Sequence, residues 1–468
     1  MTTKRIIFLA STALFLIAIL FINTSSDLKQ ADINFYNAIA MGTYMVVLWL
    51  TEAINIFITA LIPLVAGNLL GLISTQELAE SYGDKMVYLF LGGFVLALAL
   101  EKWHIHTAIA SRIIKVVGNK KGPILFGFLM TTGFLSMWVS NTATALMMLP
   151  MAIAIVELQP KGQRKGKFSI FIILAVAYGA NIGGMGTLIG SPPNTQMAGI
   201  LESTYHIKVS FMDWFKVGAP AAFFMLLLAY GFFWLLLGKE RNERLEGYEH
   251  EIHTINKDQW KIIGIFTFVV TLWIIKDFAF GKTGWLPFIK LEEANVAIFG
   301  AVLMLLIPTK NDTRKTLLKW DDLKEVPWGI LLMFGGGLAL SKALDTGKVV
   351  DFISMKFQEN EITGYLSLLL VIVIFSVFLT ELLSNLAMVT LMIPIIADIC
   401  LKTDVAPLAL CLPATLAASC GFMMPVGTPP NAIAYSSGIV PMKKMLLYGF
   451  VTNWIAIVVI IALSALFF

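Results

Sequence analysis

The sequence is poor in charge and in the residue types that build metal sites and disulfides. Only 14% of its 468 residues are charged, whereas soluble domains carry about 25%. It has 5 histidines, and its 3 cysteines, Cys400, Cys411 and Cys420, stand in apolar surroundings. The low charge excludes a soluble domain of ordinary size. The cysteines predict small core residues rather than a disulfide or metal framework.

A basic surface for nucleic acid is also missing. The formal net charge is +4, and no basic patch alternates with aromatic residues along the chain. In a membrane protein, a small positive charge reflects the placement of the loops. We therefore expect the lipid bilayer, and no nucleic acid, as the environment of this chain.

Long apolar runs are abundant. Hydrophobic residues make up 58% of the sequence, and a helix of about 20 apolar residues crosses the hydrocarbon core of a bilayer. The predicted fold is an all-α polytopic membrane protein with about 11 transmembrane helices. The predicted spans lie near 6–22, 37–51, 54–72, 86–101, 168–200, 217–237, 260–278, 294–308, 328–341, 408–440 and 446–468.

Two further apolar blocks, at 122–158 and 364–400, predict re-entrant hairpins. Each block is long enough for two short helices and carries a Ser-Asn pair near its centre. Basic residues flank the first block on both sides, which indicates that it enters and leaves on the cytoplasmic side. Mixed charges flank the second block, which is predicted to open to the outside. Counting the spans from a cytoplasmic N-terminus agrees with these loop charges and places the C-terminus outside.

Three pairs of motifs recur in the same order in the two halves of the chain. The members of each pair are about 240 residues apart, which is the signature of an internal duplication. The pairs are LGGFVLALALEK with FGGGLALSKALD, SNTATALMMLP with SNLAMVTLMIP, and GTLIGSPPN with MMPVGTPPN.

An odd number of spans separates the two copies, so the copies are predicted to be inverted with respect to the membrane. Inverted repeats in transporters place the substrate site at the interface between the repeats. The predicted organisation is a leading transmembrane helix at 1–36, a first repeat at 37–237, a cytoplasmic connection at 238–259 and a second repeat at 260–468.

Two Pro-Pro pairs, Pro192–Pro193 and Pro429–Pro430, predict breaks in two spans, because proline lacks an N–H group and restricts its neighbour. Exposed N–H groups at the start of a helix favour an anion, and exposed carbonyl and hydroxyl oxygens favour a hard cation such as sodium. Neither the Ser-Asn nor the Pro-Pro motifs contain Lys or Arg. An anionic substrate is therefore expected to be bound by dipoles, neutral donors and co-bound cations.

Small polar residues also serve simply to pack helices in membranes. A single Ser-Asn pair fits that structural role. Twin Ser-Asn pairs, each followed by a Pro-Pro break in an inverted repeat, favour a binding site instead.

Three acidic residues, Glu52, Glu381 and Asp398, stand in or near apolar segments. Intramembrane acids are functional candidates, and Glu52 and Glu381 are candidates for proton coupling. Each of these two can equally cap or brace a nearby helix end. Glu101 and His104 are one helical turn apart, like half of a metal site, but the pair occurs once and has no second half. No metal site is predicted from it.

The motifs resemble those of the divalent anion/sodium symporter family, the dicarboxylate transporters found from bacteria to animals. The resemblance covers nearly the whole chain. It implies a homodimer in the plasma membrane of a bacterium, in which a transport domain carries its cargo past a scaffold domain by an elevator motion. The matching motifs are TEAINIFITALIP (51–63), LGGFVLALALEKWHIH (91–106), SNTATALMMLP (140–150), TELLSN (380–385) and both Pro-Pro-Asn loops.

The resemblance also implies where co-transported sodium ions and the substrate bind. It implies a first sodium site at Ser136, Ser140, Asn141 and Gly190. It implies a second sodium site at Thr380, Leu383 through its carbonyl group, Ser384, Asn385 and Gly427. It implies that the substrate carboxylates contact Asn141, Thr142 and Ser191 on one side and Ser384, Asn385 and Thr428 on the other.

Two positions depart from the family pattern. Leu386 stands where dicarboxylate-selective relatives have a threonine, as the first motif does. Its apolar side chain removes one donor to a carboxylate, which leaves citrate or another di- or tricarboxylate open as substrate. Asn55 stands where relatives often have proline and has no evident bearing on the site.

The predicted function is sodium-coupled uptake of succinate, malate, fumarate or a related carboxylate by alternating access. A sodium-independent exchanger of the same fold and a carrier of sulfate or another inorganic divalent anion stay open as alternatives. An enzyme is not predicted, because the apolar segments contain no paired acids, Ser/His set or facing metal ligands.

Overall fold

The computed structural model describes residues 3–25, 28–105, 108, 118–245, 254–280, 291–309, 315–352 and 364–468. Helices dominate these ranges, and no β-strand longer than an isolated bridge lies within them. The helices of the first half are α1 (Thr3–Thr24), α2 (Gln30–Thr51), α3 (Ile56–Thr59), α4 (Ile62–Leu69), α5 (Thr75–Tyr82), α6 (Lys85–Lys102), α7 (Lys121–Ser136), α8 (Asn141–Glu157), α9 (Lys167–Gly184), α10 (Pro192–Tyr205) and α11 (Phe211–Leu237). Those of the second half are α12 (Lys257–Phe280), α13 (Glu293–Leu306), α14 (Trp328–Thr346), α15 (Tyr365–Leu379), α16 (Asn385–Lys402), α17 (Pro407–Ala418), α18 (Pro429–Ser436) and α19 (Met442–Phe467).

Seven of the described helices are long and apolar enough to cross a membrane. Several other predicted spans form apolar helices of 10–17 residues. The all-α polytopic fold expected from the sequence is confirmed. Residues 246–253 of the predicted connection lie outside the described residues. The seven candidate spans are Thr3–Thr24, Thr75–Lys102 (α5 and α6 together), Lys167–Gly184, Phe211–Asn242, Lys257–Lys276, Asn385–Lys402 and Met442–Phe467.

The apolar run near 54–72 differs from the sequence prediction of a single span, because it forms two short helices, α3 and α4. Asn55 caps α3 by accepting a hydrogen bond from the Phe57 backbone N–H at 2.9 Å. Pro63 lies in the first turn of α4. Proline is tolerated at the start of a helix but breaks a helix interior, so a new helix begins there.

Both apolar blocks with a central Ser-Asn pair fold into helical hairpins. The first hairpin consists of α7 and α8, and the second consists of α15 and α16. The serine of each pair caps the second helix of its hairpin. Ser140 Oγ accepts from the Ala143 N–H at 3.2 Å, and Ser384 Oγ accepts from the Ala387 N–H at 3.3 Å. The sequence prediction of two hairpins, each with its tip at a Ser-Asn pair, agrees with this arrangement.

Two apolar runs are split into half-helices, as the Pro-Pro pairs predict. The first run ends a helix at Gly184 and starts the next one at Pro192. The second ends a helix at Ala418 and starts the next one at Pro429. We call the residues between them, 185–191 and 419–428, the first and second break loops.

The two halves of the chain pack in the same pattern and exchange elements. In the first half α7 and α8 pack on α9, and in the second half α15 and α16 pack on α17. Across the halves, α10 packs on α16 and α18 packs on α8. Each hairpin therefore contacts the broken helices of both halves, which is the arrangement expected of interlocked repeats.

Helix α9 lies at the centre of the packed core. Every residue from Phe168 to Gly184 is buried, which is typical of a helix that is apolar on all sides. Gly183 of α9 meets the backbone of Gly133 on α7 so closely that a Cβ atom would overlap it. Small residues allow such close backbone approach between membrane helices. The three cysteines are free and buried, as predicted.

A second, smaller cluster of buried apolar residues lies apart from this core. It joins side chains of α2 and α14 with the start of α16. Leu386, which follows the second Ser-Asn pair, belongs to this cluster and is 8% exposed. By contrast, α1 has no buried residue, and the helix against which it packs is α2.

Candidate functional site

Four helices begin at the motifs singled out by the sequence. The N-termini of α8 and α16 lie at Asn141 and Asn385, and those of α10 and α18 lie at Pro192 and Pro429. The first N–H groups of a helix have no partner within it, and the N-terminus carries about half a unit of positive charge. The duplicated motifs therefore supply four N-terminal ends that favour negative charge.

A first cluster of oxygens surrounds the side chain of Asn141. The amide nitrogen of Asn141 faces three acceptor atoms. They are Ser136 Oγ at 2.8 Å and the carbonyl oxygens of Ala180 and Gly190, both at 3.3 Å. We call these three atoms the first oxygen cluster. A hydroxyl and two carbonyls converging on one point form the type of ligand set that hard cations take. Ser136, Asn141 and Gly190, predicted to share a sodium site, are thus brought together.

Glycine is required beside this cluster. A Cβ atom at Gly184 would overlap the Asn141 amide, and one at Gly190 would lie 2.7 Å from the Gly184 carbonyl oxygen. Ser140 and Gly190 also line one small cavity with Trp138. The predicted residues Ser140 and Gly190 are therefore neighbours, and the site tolerates no larger side chain at Gly190.

A second cluster of oxygens has the same design in the other repeat. Thr380 Oγ1 lies 2.8 Å from Asn385 Oδ1 and 2.6 Å from the Ala418 carbonyl oxygen. We call these three atoms the second oxygen cluster. Ser384 caps α16 beside this cluster, and the buried Leu383 lies in the turn between Thr380 and Ser384. A hydroxyl, an amide and a main-chain carbonyl thus come together beside the hairpin tip in both repeats.

Each break loop is fixed by the asparagine that follows its Pro-Pro pair. Asn194 Nδ2 donates to the carbonyl oxygens of Gly184 and Thr187, both at 2.8 Å. Residue type alone does not assign this role to the asparagine of the Pro-Pro-Asn motif. Its presence after both Pro-Pro pairs was the signal. The equivalent Asn431 Nδ2 donates to the carbonyl oxygens of Gly421 at 2.8 Å and Met424 at 3.0 Å.

Glu381 braces the second break loop. Its carboxylate accepts hydrogen bonds from the backbone N–H groups of Phe422 and Met423 at 2.8 Å and of Met424 at 3.1 Å. It also accepts from Asn453 Nδ2 of α19 at 2.8 Å. Of the two roles open for Glu381 from sequence, the geometry supports the bracing of a helix end, because a fully engaged carboxylate acts as an anchor for the loop.

The other two acids contact lysines. Glu52 is exposed at the end of α2, where its carboxylate lies 3.4 Å from Lys4. Asp398 lies 2.7 Å from Lys402, one turn further along α16. Within the described residues, no group of three or more His, Cys, Asp or Glu residues is arranged to bind a metal ion.

The predicted substrate residues differ in their surroundings. Thr142 is exposed, whereas Ser191 and Thr428 are buried at the N-termini of the half-helices α10 and α18. Thr428 caps its helix, but Ser191 makes no capping hydrogen bond. Among the described residues, no hydrogen bond joins a predicted residue of one repeat directly to a predicted residue of the other.

The two repeats are instead linked by buried residues of α9, namely Tyr178, whose hydroxyl donates to the Phe422 carbonyl oxygen at 3.1 Å, and Asn181, which the sequence did not single out. Asn181 Nδ2 donates to Thr428 Oγ1 at 2.9 Å and to Asn431 Oδ1 at 3.2 Å. The repeat gave no signal for it, because the equivalent position in the second half is Ala418. An asparagine within a helix that is otherwise apolar was the available signal.

The chain matches a known family over nearly its whole length. The profile of the family described as "Sodium:sulfate symporter transmembrane region" matches residues 3–468. The chain belongs to this family. The resemblance to the divalent anion/sodium symporters is therefore confirmed. The family consists of transporters, so the chain is a multi-pass membrane transporter and not an enzyme.

Two similar proteins of this family come from staphylococci. The chain is 37% identical to "Sodium-dependent dicarboxylate transporter SdcS" of Staphylococcus saprophyticus over 438 residues, which cover 90% of this chain and 84% of that protein. It is 35% identical to the protein of the same name from Staphylococcus aureus strain USA300, over 96% of this chain and 88% of that protein.

A solved structure with a similar fold is the Alcanivorax borkumensis YdaH transporter, which has an unusual topology. The two structures share a TM-score of 0.62 over 86% of this chain and 89% of that chain, with 13% sequence identity. At this identity the likeness concerns the fold alone. It agrees with the classification of this chain as a polytopic membrane transporter.

Proposed function

We propose that this chain takes up di- or tricarboxylate anions together with sodium ions across the plasma membrane of a bacterium. The observation that carries the proposal is the duplication of an oxygen cluster beside a capped helix N-terminus. Oxygens suit sodium, and helix N-termini suit carboxylates. The names of the two staphylococcal relatives support the same cargo.

In this proposal each repeat binds one sodium ion. The first ion binds at the first oxygen cluster, with Ser140 and Asn141 at the hairpin tip. The second binds at the second oxygen cluster, with Ser384 beside it and the Leu383 carbonyl and Gly427 completing the shell. Because these groups lie at the hairpin tips, a bound ion orders the same residues that contact the anion, and the two affinities are linked.

The substrate carboxylates contact neutral donors in this proposal. Asn141, Thr142 and Ser191 contact the anion from the first repeat. Ser384, Asn385 and Thr428 contact it from the second repeat. No Lys or Arg stands in these motifs, so co-bound sodium ions and helix dipoles neutralise the anion.

The transport cycle is part of the same proposal. We propose a homodimer in which the hairpins and broken helices move as one transport domain, by an elevator motion, against a scaffold that includes α2 and α14. The N-terminus lies in the cytoplasm and the C-terminus lies outside. Leu386 packs α16 against the cluster of α2 and α14, which places the boundary between these two parts there in this proposal.

A counterflow assay tests the function. Purified protein is reconstituted into liposomes loaded with unlabelled succinate, malate, fumarate, citrate or sulfate, and entry of labelled succinate is measured with and without sodium. Sodium-dependent exchange with the carboxylates supports the proposal. Equal exchange in sodium-free buffer would instead identify a sodium-independent exchanger.

Sulfate is the second cargo to be tested, because the description of the family names it. Competition by unlabelled sulfate separates the two cargoes. If sulfate displaces labelled succinate as well as succinate does, the chain accepts inorganic divalent anions as well. Entry of labelled sulfate without entry of labelled succinate would show that the carboxylate proposal is wrong.

A further inference from the structure

The side chain of Asn181 belongs to one repeat but makes its hydrogen bonds in the other. It lies on α9, where it is 1% exposed. Its Nδ2 atom donates to Thr428 Oγ1 at 2.9 Å and to Asn431 Oδ1 at 3.2 Å. Both acceptors belong to the Pro-Pro-Asn motif at the start of α18. Asn181 therefore joins the central helix of the first repeat to the second break loop.

These contacts determine what the Thr428 hydroxyl can do. Thr428 Oγ1 accepts from Asn181 Nδ2 and also from the Asn431 backbone N–H, at 3.3 Å. A hydroxyl oxygen has two lone pairs and one hydrogen, so both lone pairs are engaged. Within the described part of the chain, no acceptor takes the Thr428 hydrogen. The hydroxyl is thus prepared to donate one hydrogen bond and to accept no other.

The first repeat shows what is lost without such a bridge. Ser191, the equivalent of Thr428, makes no capping hydrogen bond. Asn194, the equivalent of Asn431, has a buried Oδ1 atom without a partner. The residue at the position equivalent to Asn181 is Ala418, which has no amide. The second break loop also differs from the first in its length and in its brace by Glu381, and the Asn181 bridge is the difference that acts directly on the Thr428 hydroxyl.

We propose that Asn181 is a positioning residue for the substrate anion. It holds the Thr428 hydroxyl so that its hydrogen points to a carboxylate of the substrate, while its own amide stays out of contact with the substrate. The inference rests on the proposed function, in which Thr428 contacts a carboxylate. It makes the two sides of the anion site unequal, with a pre-oriented donor on the side of the second repeat.

A double-mutant cycle tests this role. The variants Asn181→Ala, Thr428→Val and the double variant are compared in sodium-driven succinate uptake. We expect Asn181→Ala to raise the KM for succinate about tenfold, as the loss of a hydrogen bond to a charged group does, with little change in maximal rate. We expect the double variant to match Thr428→Val within about twofold, because residues that act through one contact are not additive.

A second variant separates positioning from packing. Threonine has nearly the volume of asparagine, and its hydroxyl in a helix bonds to the preceding turn, so Asn181→Thr keeps the packing but loses the bridge. We expect it to raise the KM as Asn181→Ala does. Gln159→Ala is the control, since it removes a buried hydrogen bond to Ser169 outside the site and is expected to keep the wild-type KM.

The outcomes are distinct. Two results would overturn the inference while leaving the proposed function intact: effects of Asn181→Ala and Thr428→Val that multiply in the double variant, or a wild-type KM in Asn181→Thr. If Asn181→Ala does not reach the membrane, the same cycle is run with Asn181→Thr. An absence of saturable carboxylate uptake by the wild-type protein would remove the proposed function and this inference together.

Discussion

Asn194 and Asn431 make the same pair of hydrogen bonds in the two halves of the molecule. Each donates from Nδ2 to the carbonyl of a glycine and to a second carbonyl three residues further on. The acceptors are Gly184 and Thr187 in one half and Gly421 and Met424 in the other. Each asparagine therefore donates to carbonyls at which the regular helix has ended, and keeps the break loop closed.

Removal of either asparagine is expected to destabilise the protein, with a larger effect in the second repeat. Asn194→Ala and Asn431→Ala each leave one carbonyl, that of Gly184 or Gly421, without its donor, at a cost of about 1–3 kcal/mol. The carbonyls of Thr187 and Met424 keep a backbone donor. Asn431→Ala also removes the acceptor for Asn181. We expect a lower melting temperature for Asn431→Ala than for Asn194→Ala in detergent. A larger loss in Asn194→Ala would contradict this ranking.

Glu381 is expected to act as an anchor and not as a proton carrier. Glu381→Ala leaves three backbone N–H groups of the second break loop without their acceptor, and each unpaired buried donor costs about 1–3 kcal/mol. Glu381→Gln keeps one acceptor oxygen and is expected to lose less stability. The measurement is the melting temperature of each variant, together with uptake between pH 5.5 and about pH 8.

The pH series distinguishes the two roles of Glu381. If it braces the loop, Glu381→Gln lowers uptake by a similar factor at every pH. If it couples protons, the pH dependence of the wild type disappears in the variant while stability is kept. Asn453→Ala, which removes one of the four donors to the carboxylate, is expected to fall between the wild type and Glu381→Ala in stability.

Asn141 and Asn385 are expected to be essential for transport. Asn141→Ala and Asn385→Ala each remove an amide from an oxygen cluster and from the proposed anion site, so uptake is expected to fall by about 100-fold or more. Both variants are expected to remain in the membrane, because neither asparagine belongs to the apolar core. Near-normal uptake by either variant, at equal abundance in the membrane, would argue strongly against this site.

Leu386 is expected to contribute packing and not selectivity. Its side chain is buried in the cluster of α2 and α14, so Leu386→Thr places a hydroxyl in an apolar environment at a cost of about 1–3 kcal/mol. We expect a lower melting temperature and a KM for succinate within about threefold of the wild type. Leu386→Met conserves volume and serves as control. A marked gain in succinate affinity in Leu386→Thr would show that position 386 faces the substrate.

Much of the fold was predictable because hydropathy and duplication leave strong traces in a sequence. The hairpin tips at Ser140 and Ser384 and the breaks at Pro192 and Pro429 were predicted from residue type alone, since a Pro-Pro pair cannot continue a helix. The break in the span near 54–72 is not apparent from hydropathy, because Pro63 stands within an apolar run, where it starts a new helix.

The contacts inside the site were less predictable. Asn181 occurs once and has no repeat partner, so the comparison of the two halves gave no signal for it. The role of Glu381 depends on which backbone groups lie next to its carboxylate, and a sequence gives no distances. The sequence indicated that an acid lies at membrane depth, whereas the loop geometry shows what it contacts.

The most direct test of the account measures how sodium changes the affinity for the anion. Binding of labelled succinate to the purified protein is titrated at low and at high sodium, and binding of sodium is titrated with and without succinate. The account predicts that sodium strengthens succinate binding at least about tenfold, that succinate strengthens sodium binding by the same factor, and that both effects vanish in Asn141→Ala and Asn385→Ala. Succinate binding that is equally tight without sodium would contradict it.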